Sequence, residues 1–571
     1  MASLGTFRLG RLPVVAPGGV WSAGRAAGLA LVAVVLLVEG FLLRAPYEPA
    51  PREIDSAVKR VQALALADSA FLRQSLPYRA RYLDPQQWYL PFVKPFVLRT
   101  RTGMQSIFPT VAAAIDVPFE RLGGFAAIRL ASIGAMLLAV ALTLTIARID
   151  GDGLAAGAMV LGTPLWFYAL AGTSHPAALA LAMLAVFLAM DRDRALAAGL
   201  VLGLSATIRE ETLALAPGLM LVCAWRSRSL GTLARFLIGA VVPLAVMGAV
   251  DAELYGRPAG AHLLHVLRGS IFPDAPSGGM PVLKTLTWPE RFDTVIVYWL
   301  DGRSGAHVAL VAALVGVAAA VRRWSGSYWG ALPVLVLLLV DAGRDLQSLL
   351  ASPRRLPGLM RLAPFVVFAA LPPAPSDEER SSRRYALLAV SAVYVLVALL
   401  TTNTTGGKLP GARLLMPVWA ILAATAWQVI RGHLSAWNRA ASHKILAAGG
   451  LALVVIGLVV NTGLLMPAYR DAEATGLEVT RYIAQAPEEV IILGSPFAID
   501  PVVAVYSSRT IMLAASQADA DDIGMRLTAA RIRQFLFVRR DDRADLVPAF
   551  PGFDAGEPRR FGRWIVQRWA R

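Results

Sequence analysis

The sequence predicts a polytopic α-helical membrane protein of about thirteen transmembrane helices, with a small C-terminal α/β domain. Three observations predict it. Of 571 residues, 56% are hydrophobic and only 16% charged, with a mean hydropathy of +0.56; soluble domains lie nearer 45–50% apolar and about 25% charged. Apolar runs approach the roughly twenty residues that a helix needs to cross the hydrocarbon core. From about residue 470 the pattern changes to short alternating strand and helix signals. A closed β-barrel, the other structure able to span a bilayer, would instead need strictly alternating segments of about ten residues.

The elements follow in order. Arg8, Arg11 and Arg25 precede an apolar stretch near 26–43. That stretch exceeds the 7–15 residues of a signal-peptide core, and PYEPAPRE offers no A-x-A cleavage site, so it reads as an uncleaved first span with a cytoplasmic N-terminus. Further spans are expected near 123–147, 152–170, 175–191, 194–209, 212–225, 233–252, 304–322, 326–343, 358–373, 385–402, 412–430 and 444–466. The shorter ones imply tilt or protein-lined cavities. The net charge of +16 comes mostly from arginines in short loops such as WRSRS, VRRWS and ERSSRRY. The positive-inside rule accounts for these without nucleic acid as a partner. With those loops inside, 44–122, 253–303, 403–411 and the C-terminal part fall outside; the basic stretch DAGRDLQSLLASPRR breaks the alternation. A single Cys223 excludes an internal disulfide and a multi-thiolate metal site.

The large first outer loop is expected to open with a helix on the membrane surface, because Ile54, Val58, Val61 and Ala65 recur at helical spacing. RYLDPQQWYLPFVKPF then suits an irregular segment at headgroup level. The expected domains are thus 1–466, membrane-embedded, and 467–571, soluble. The second unit has no GxGxxG or P-loop, and so no nucleotide is assigned to it.

Several polar residues stand out against this apolar background. Glu53 and Asp55 follow the first span. Carboxylates there could serve acid/base chemistry on a membrane-anchored substrate; they could equally offset a helix dipole, with Asp55 pairing with Lys59 one turn on. Arg209, in LSATIREETLALAPGL, could bind a phosphate through its bidentate fork, or pair with the glutamates that follow it. His175 follows GTPLWFYALAGTS at an outer span end. His262 lies three residues before His265, with Arg268 beyond; no carboxylate at matching spacing supports zinc, and an interfacial helix explains them equally. In TTNTTGGKLPGARLLMPVWA, Lys408 and Arg413 flank a glycine turn and could clamp a phosphate or snorkel to the interface.

Taken in order, these motifs resemble the GT-C superfamily of polyprenyl-phosphate-sugar-dependent glycosyltransferases, which includes mannosyltransferases and aminoarabinose transferases. The likeness rests on EID after the first span, QSIFPTVAAAI, GTPLWFYALAGTSHPAALAL, LSATIREETLALAPGL and TGGKLPGARLLMPVWAIL. It implies inverting sugar transfer from a polyprenyl-phosphate donor to a glycan, lipid or protein acceptor. The setting would be a bacterial inner membrane, with the C-terminal domain extracytoplasmic. By that likeness Asp55, with Glu53 beside it, would be the base, and Arg209, Lys408 and Arg413 would hold the phosphate; His175, His262 and Arg268 are further candidates for substrate binding. A divalent metal is a further implication, although no D-x-D occurs and Ile54 separates the two carboxylates. The rivals are a transporter or flippase of lipid-linked substrates, a catalytically inactive membrane scaffold, and an O-antigen ligase or polymerase. A transporter would favour charges at the bilayer midplane and paired broken helices; here the charges cluster near span ends.

Overall fold

The computed structural model describes residues 23–42, 54–69, 71, 75–92, 97–100, 103–149, 152–190, 194–255, 258, 286–301, 303–351, 358–374, 378–402, 413–495, 498–541 and 548–571. They form a multi-pass helical bundle capped at one end by a small mixed sheet. Among the described residues, seven helical segments are long and apolar enough to cross a membrane: Gly24–Phe41, Thr110–Ile146, Leu230–Leu254, Gly305–Ser325, Ser382–Thr401, Arg413–Ser435 and Ala441–Gln485.

In chain order, α1 is Ala23–Leu37, α2 Ile54–Asp68, α3 Thr110–Ile146, α4 Gly153–Val160, α5 Leu165–Leu170, α6 His175–Met190, α7 Ala195–Ile208, α8 Leu215–Ser227 and α9 Leu230–Tyr255. Then follow α10, Gly305–Ser325; α11, Leu332–Ala351; α12, Glu378–Thr401; α13, Met416–Ser435; α14, Ala441–Leu458; and α15, Met466–Gln485.

The thirteen hydropathy segments do not all become full spanning helices. The segment at 152–170 is split into α4 and α5 by a turn containing Gly162 and Pro164. The segment at 358–373 contains only Leu359–Leu362 and a 3-10 turn, Pro364–Ala370, because prolines interrupt the backbone hydrogen-bond ladder. Its phenylalanines, Phe365 and Phe368, fill the bundle core instead. Conversely, α3 starts well before the expected 123. Its 37 residues span about 55 Å, against a hydrocarbon core of about 30 Å. The helix breaks at Gly123 and Gly124, and Gly124 takes φ +61°, which its missing side chain permits. The leg before that break carries Asp116 and Glu120. DAGRDLQSLLA, which broke the charge alternation, continues α11 rather than forming a loop. Its acids are paired: Asp341 Oδ2 lies 2.6 Å from His307 Nε2, Arg361 donates to Asp345 at 2.9 Å, and Arg303 also donates to Asp345.

The C-terminal sheet has strand order β4-β3-β5-β7-β6, counting after the small hairpin β1 (Val97–Thr100) and β2 (Gly103–Ser106). Strands β3 (Val490–Leu493), β4 (Thr510–Leu513) and β5 (Gln534–Arg540) are parallel; the hairpin β6 (Asp554–Phe561) and β7 (Trp564–Ala570) adds antiparallel strands. The strand signals in this region correspond to EVIILGS, RTIMLA and QFLFVRR, and DPVVAVYS between them forms a 3-10 turn, Asp500–Val505. The segment between α2 and α3 builds onto this unit. Leu513 N–H donates to Tyr89 O at 2.8 Å, Tyr506 Oη to Pro77 O at 2.8 Å, and Arg526 to Leu83 O at 2.9 Å. Buried Asp84 accepts from Tyr78 Oη at 2.8 Å and from Tyr89 N–H at 2.9 Å.

Helix α2 joins the two halves. Helical spacing is as expected, but the helix is not laid on a surface: Ser56 through Ala63 are all buried. Ala57, Val58 and Val61 belong to the same apolar core as β3 and β5, while Ala63 and Leu66 pack on Ala113 and Val117 of α3. Its cation Arg60 pairs with Glu120 of α3 at 3.1 Å. A second buried ion pair, Arg129–Glu473 at 2.5 Å, ties α3 to α15, and Arg129 also donates to Gly40 O at 2.9 Å.

Helix α7 lies close against α9. A side chain at Gly199 or Gly203 would strike the backbone of Phe236 or Ala240, and one at Gly239 would strike that of Leu196. Small residues spaced four apart let the backbones approach in this way. Replacing Gly203 by leucine should therefore cost about 1–3 kcal/mol or more, read as a lowered melting temperature of the purified protein. Gly316→Leu, at a position with open space around it, should leave the melt unchanged.

Candidate active site

The candidate site lies at the end of the bundle where α2, α6, α7 and the start of α13 meet. Helix α7 ends at Arg209, whose extended backbone (φ −146°, ψ 106°) turns the chain into a 3-10 segment, Glu210–Ala214. The turn is held locally. Thr212 Oγ1 donates to Arg209 O at 2.8 Å, and Ser205 Oγ sits 3.0 Å from Thr212 Oγ1 and 2.8 Å from Ala178 O. The guanidinium points inward: its Nε and Nη2 are both 2.7 Å from Glu211 Oε1, with Arg209 only 5% exposed.

His175 begins α6, buried against Tyr168 at a ring distance of 5.2 Å. Its Nε2 is 3.9 Å from Glu211 Oε1, beyond hydrogen-bond reach, and neither ring nitrogen has a hydrogen-bond partner among the described residues. Lys59 enters from α2. Its Nζ donates to Ser174 Oγ at 3.1 Å and lies 4.8 Å from the centre of the Phe108 ring. Arg413, which opens the 3-10 turn leading into α13, acts electrostatically on both His175 and Glu211. Tyr394 of α12 also senses Glu211 and Arg209, and donates to Leu414 O at 2.5 Å beside Arg413.

The sequence candidates thus divide. His175, Arg209 and Arg413 converge. Asp55 is the second residue of α2, and its side chain lies outside the described residues. Glu53, Lys408, His262 and Arg268 lie outside the described residues. Sequence reasoning missed Lys59 as a site residue, treating it only as a partner for Asp55. It also passed over Ser174, Tyr394 and Asp116, the last of which interacts electrostatically with Lys59. An acid within the apolar run VAAAIDVPF was a usable signal for Asp116.

Charge defines what this arrangement can hold. Lys59, Arg209 and Arg413 converge here; Glu211 is paired with Arg209, and Asp116 interacts electrostatically with Lys59. Among the described residues no group of three or more histidine, cysteine or acidic side chains could hold a metal ion. The described donor set does not suit a divalent cation, because three cations face the site and Glu211 is already held by Arg209. An anion is the complementary ligand.

No family model matches the chain, and no curated protein sequence matches it. Among solved structures, it is similar to ArnT from Cupriavidus metallidurans bound to undecaprenyl phosphate, with 14% identity, 95% of this chain and 98% of that one covered, and a TM-score of 0.47. It is also similar to the oligosaccharyltransferase AglB from Archaeoglobus fulgidus, in complex with an inhibitory peptide and a dolichol-phosphate, with 12% identity, 90% and 69% coverage, and a TM-score of 0.43.

Burial pushes the Glu211 carboxyl up, but Arg209, through charge and hydrogen bonding, outweighs burial and holds it below the usual carboxylate range. A lowered folded value means that its stabilisation is complete above the unfolded value of about 4.3 and is lost as pH falls through the folded one. Wild type should therefore lose stability below about pH 4.3 more steeply than Glu211→Gln. At neutral pH the variant should be destabilised by about 3–5 kcal/mol, since Arg209 stays buried without its partner. Melting curves recorded across pH check both.

Proposed function

We propose that the chain is an inverting membrane glycosyltransferase that moves a sugar from a polyprenyl-phosphate donor to an acceptor hydroxyl at the extracytoplasmic face. The observation that supports it is the convergence of Lys59, Arg209 and Arg413 around buried His175, at the junction of an apolar bundle and an outer domain. Such a junction lets an isoprenoid tail lie among the helices while its phosphate meets fixed cations.

In this reading a carboxylate takes the proton of the acceptor hydroxyl. The acceptor oxygen bonds to the anomeric carbon, and the bond from that carbon to the phosphate oxygen breaks. The departing lipid phosphate gains negative charge, and preorganised donors aimed at that charge lower the barrier. Arg209 is pre-oriented by Glu211, Arg413 enters from the late outer loop with Lys408 in the same segment, and Lys59 closes the site from α2. His175 offers two ring nitrogens not engaged by any described residue. Asp55, with Glu53 beside it, is the proposed base; Asp116, coupled to Lys59, is the nearest described alternative. No step is assigned to a metal.

The test is complementation in cells lacking the gene, with membrane glycolipids and glycans profiled. Loss of one sugar from one product, together with donor accumulation, is the expected phenotype, and wild type restores it. Asp55→Asn should lower transfer by about 10²–10⁴-fold at normal protein levels, and Arg413→Ala should also fail to restore it. Full restoration by the double variant Glu53→Gln/Asp55→Asn would remove the first-loop carboxylates from the mechanism. An unchanged glycan and glycolipid profile on deletion would favour the inactive scaffold instead.

A further inference from the structure

Charge is unevenly spread along the C-terminal part of the chain. Residues 467–530 carry four arginines against nine acids, whereas residues 531–571 carry ten arginines against five acids. The two stretches cancel, so the arginines are concentrated rather than abundant. Three of them, Arg559, Arg560 and Arg563, flank Gly562 at the turn of the β6–β7 hairpin. Arg559 and Arg560 are exposed and Arg563 is half-buried. Strand β6 is an edge of its sheet, and charged side chains on an edge ordinarily guard it against pairing with another chain. That role would be served anywhere along β6. It explains neither the clustering at the turn nor the height at which the turn sits.

Two sets of contacts fix that height. Arg129 of α3 pairs with Glu473 of α15 at 2.5 Å and donates to Gly40 O at 2.9 Å. Gly40 is next to the end of the apolar segment Gly24–Phe41. Glu473 therefore lies within one arginine side chain of the level where that segment leaves the hydrocarbon core. Gly562, in turn, packs on Thr475, where an added Cβ would stand 2.7 Å from Thr475 Cγ2. The Phe561 ring is 5.3 Å from that of Tyr482, and the Arg559 guanidinium 5.2 Å from it. Thr475 is two residues beyond Glu473, a rise of about 3 Å and a rotation of about 200°; Tyr482 is nine beyond, about 180° round. The hairpin turn thus sits on the face of α15 turned away from α3. The headgroup region extends roughly 5–8 Å past the hydrocarbon on each side, so the turn stands at headgroup height.

The local charge there is positive with every neighbouring acid included. Asp541 pairs with Arg560 at 2.5 Å, and Asp542 and Asp545 follow it in the sequence. Residues 539–545, 559–563 and all of α15, together with Arg129 as the partner of Glu473, hold nine arginines against six acids. This excess does not require any one arginine to lack a partner. Each arginine near an anionic membrane surface strengthens attachment about fivefold.

We propose that the turn of the β6–β7 hairpin is a membrane-docking surface, seated by Arg559, Arg560 and Arg563 on anionic phospholipid headgroups beside the bundle. The test is hydrogen exchange of the purified full chain in nanodiscs of phosphatidylcholine, alone or with about one-quarter phosphatidylglycerol. Exchange at residues 559–564 is expected to be about fivefold or more slower in the anionic discs. The difference should vanish in about 1 M salt, where the screening length is about 3 Å. It should vanish also in Arg559→Gln/Arg560→Gln, which alters only exposed side chains; wild-type exchange of this variant in the neutral discs shows that its hairpin is folded. Arg559→Lys/Arg560→Lys keeps the charge and should keep the slowing, so this variant and the salt arm decide the matter if the glutamine variant unfolds. Equal exchange of wild type in the two discs, slowing that survives high salt or the folded glutamine variant, or slowing lost in the lysine variant would overturn the proposal.

Discussion

The burial of α2 on both sides is the constraint on which the rest depends. One face of this helix belongs to the core of the C-terminal sheet unit, and the other packs on the leading leg of α3. Two adjacent cations, Lys59 and Arg60, are therefore carried into the protein, where isolated charge is costly. Glu120 answers Arg60 directly. Lys59 instead reaches a serine hydroxyl and the rim of the candidate site. The helix that joins the two halves also helps to set the charge of the chemistry between them.

Elsewhere in the bundle, several arginines have acidic partners. Arg129 meets Glu473, and Asp345 takes both Arg303 and Arg361. At the candidate site three cations converge, one of them paired with Glu211, and a histidine ring lies buried with no hydrogen-bond partner among the described residues. That surplus of donors is what a phosphate-bearing ligand would use.

Much of this was legible in the sequence, and the failures have physical causes. Hydropathy found the multi-pass helical bundle, because lipid-facing helices must be apolar along their length. It misjudged 152–170 and 358–373, since a segment buried in protein is as apolar as one facing lipid, and only its prolines and glycines mark the break. Strand signals found β3, β4 and β5, whose residues are nearly all buried, but missed the exposed hairpin strand Asp554–Phe561, which has no apolar alternation to detect. At the site, Arg209, Arg413 and His175 stood out as polar residues in apolar surroundings. Lys59 did not, because periodicity could not reveal that both faces of its helix were covered.

The most direct measurement of the central claim is an experimental structure of the full chain with a polyprenyl phosphate bound in nanodiscs. The account predicts phosphorus density within hydrogen-bonding reach of Arg209, Arg413 or Lys59, with the isoprenoid tail running among the bundle helices. A phosphate bound away from all three, with His175 and Glu211 unchanged beneath an empty site, would contradict it.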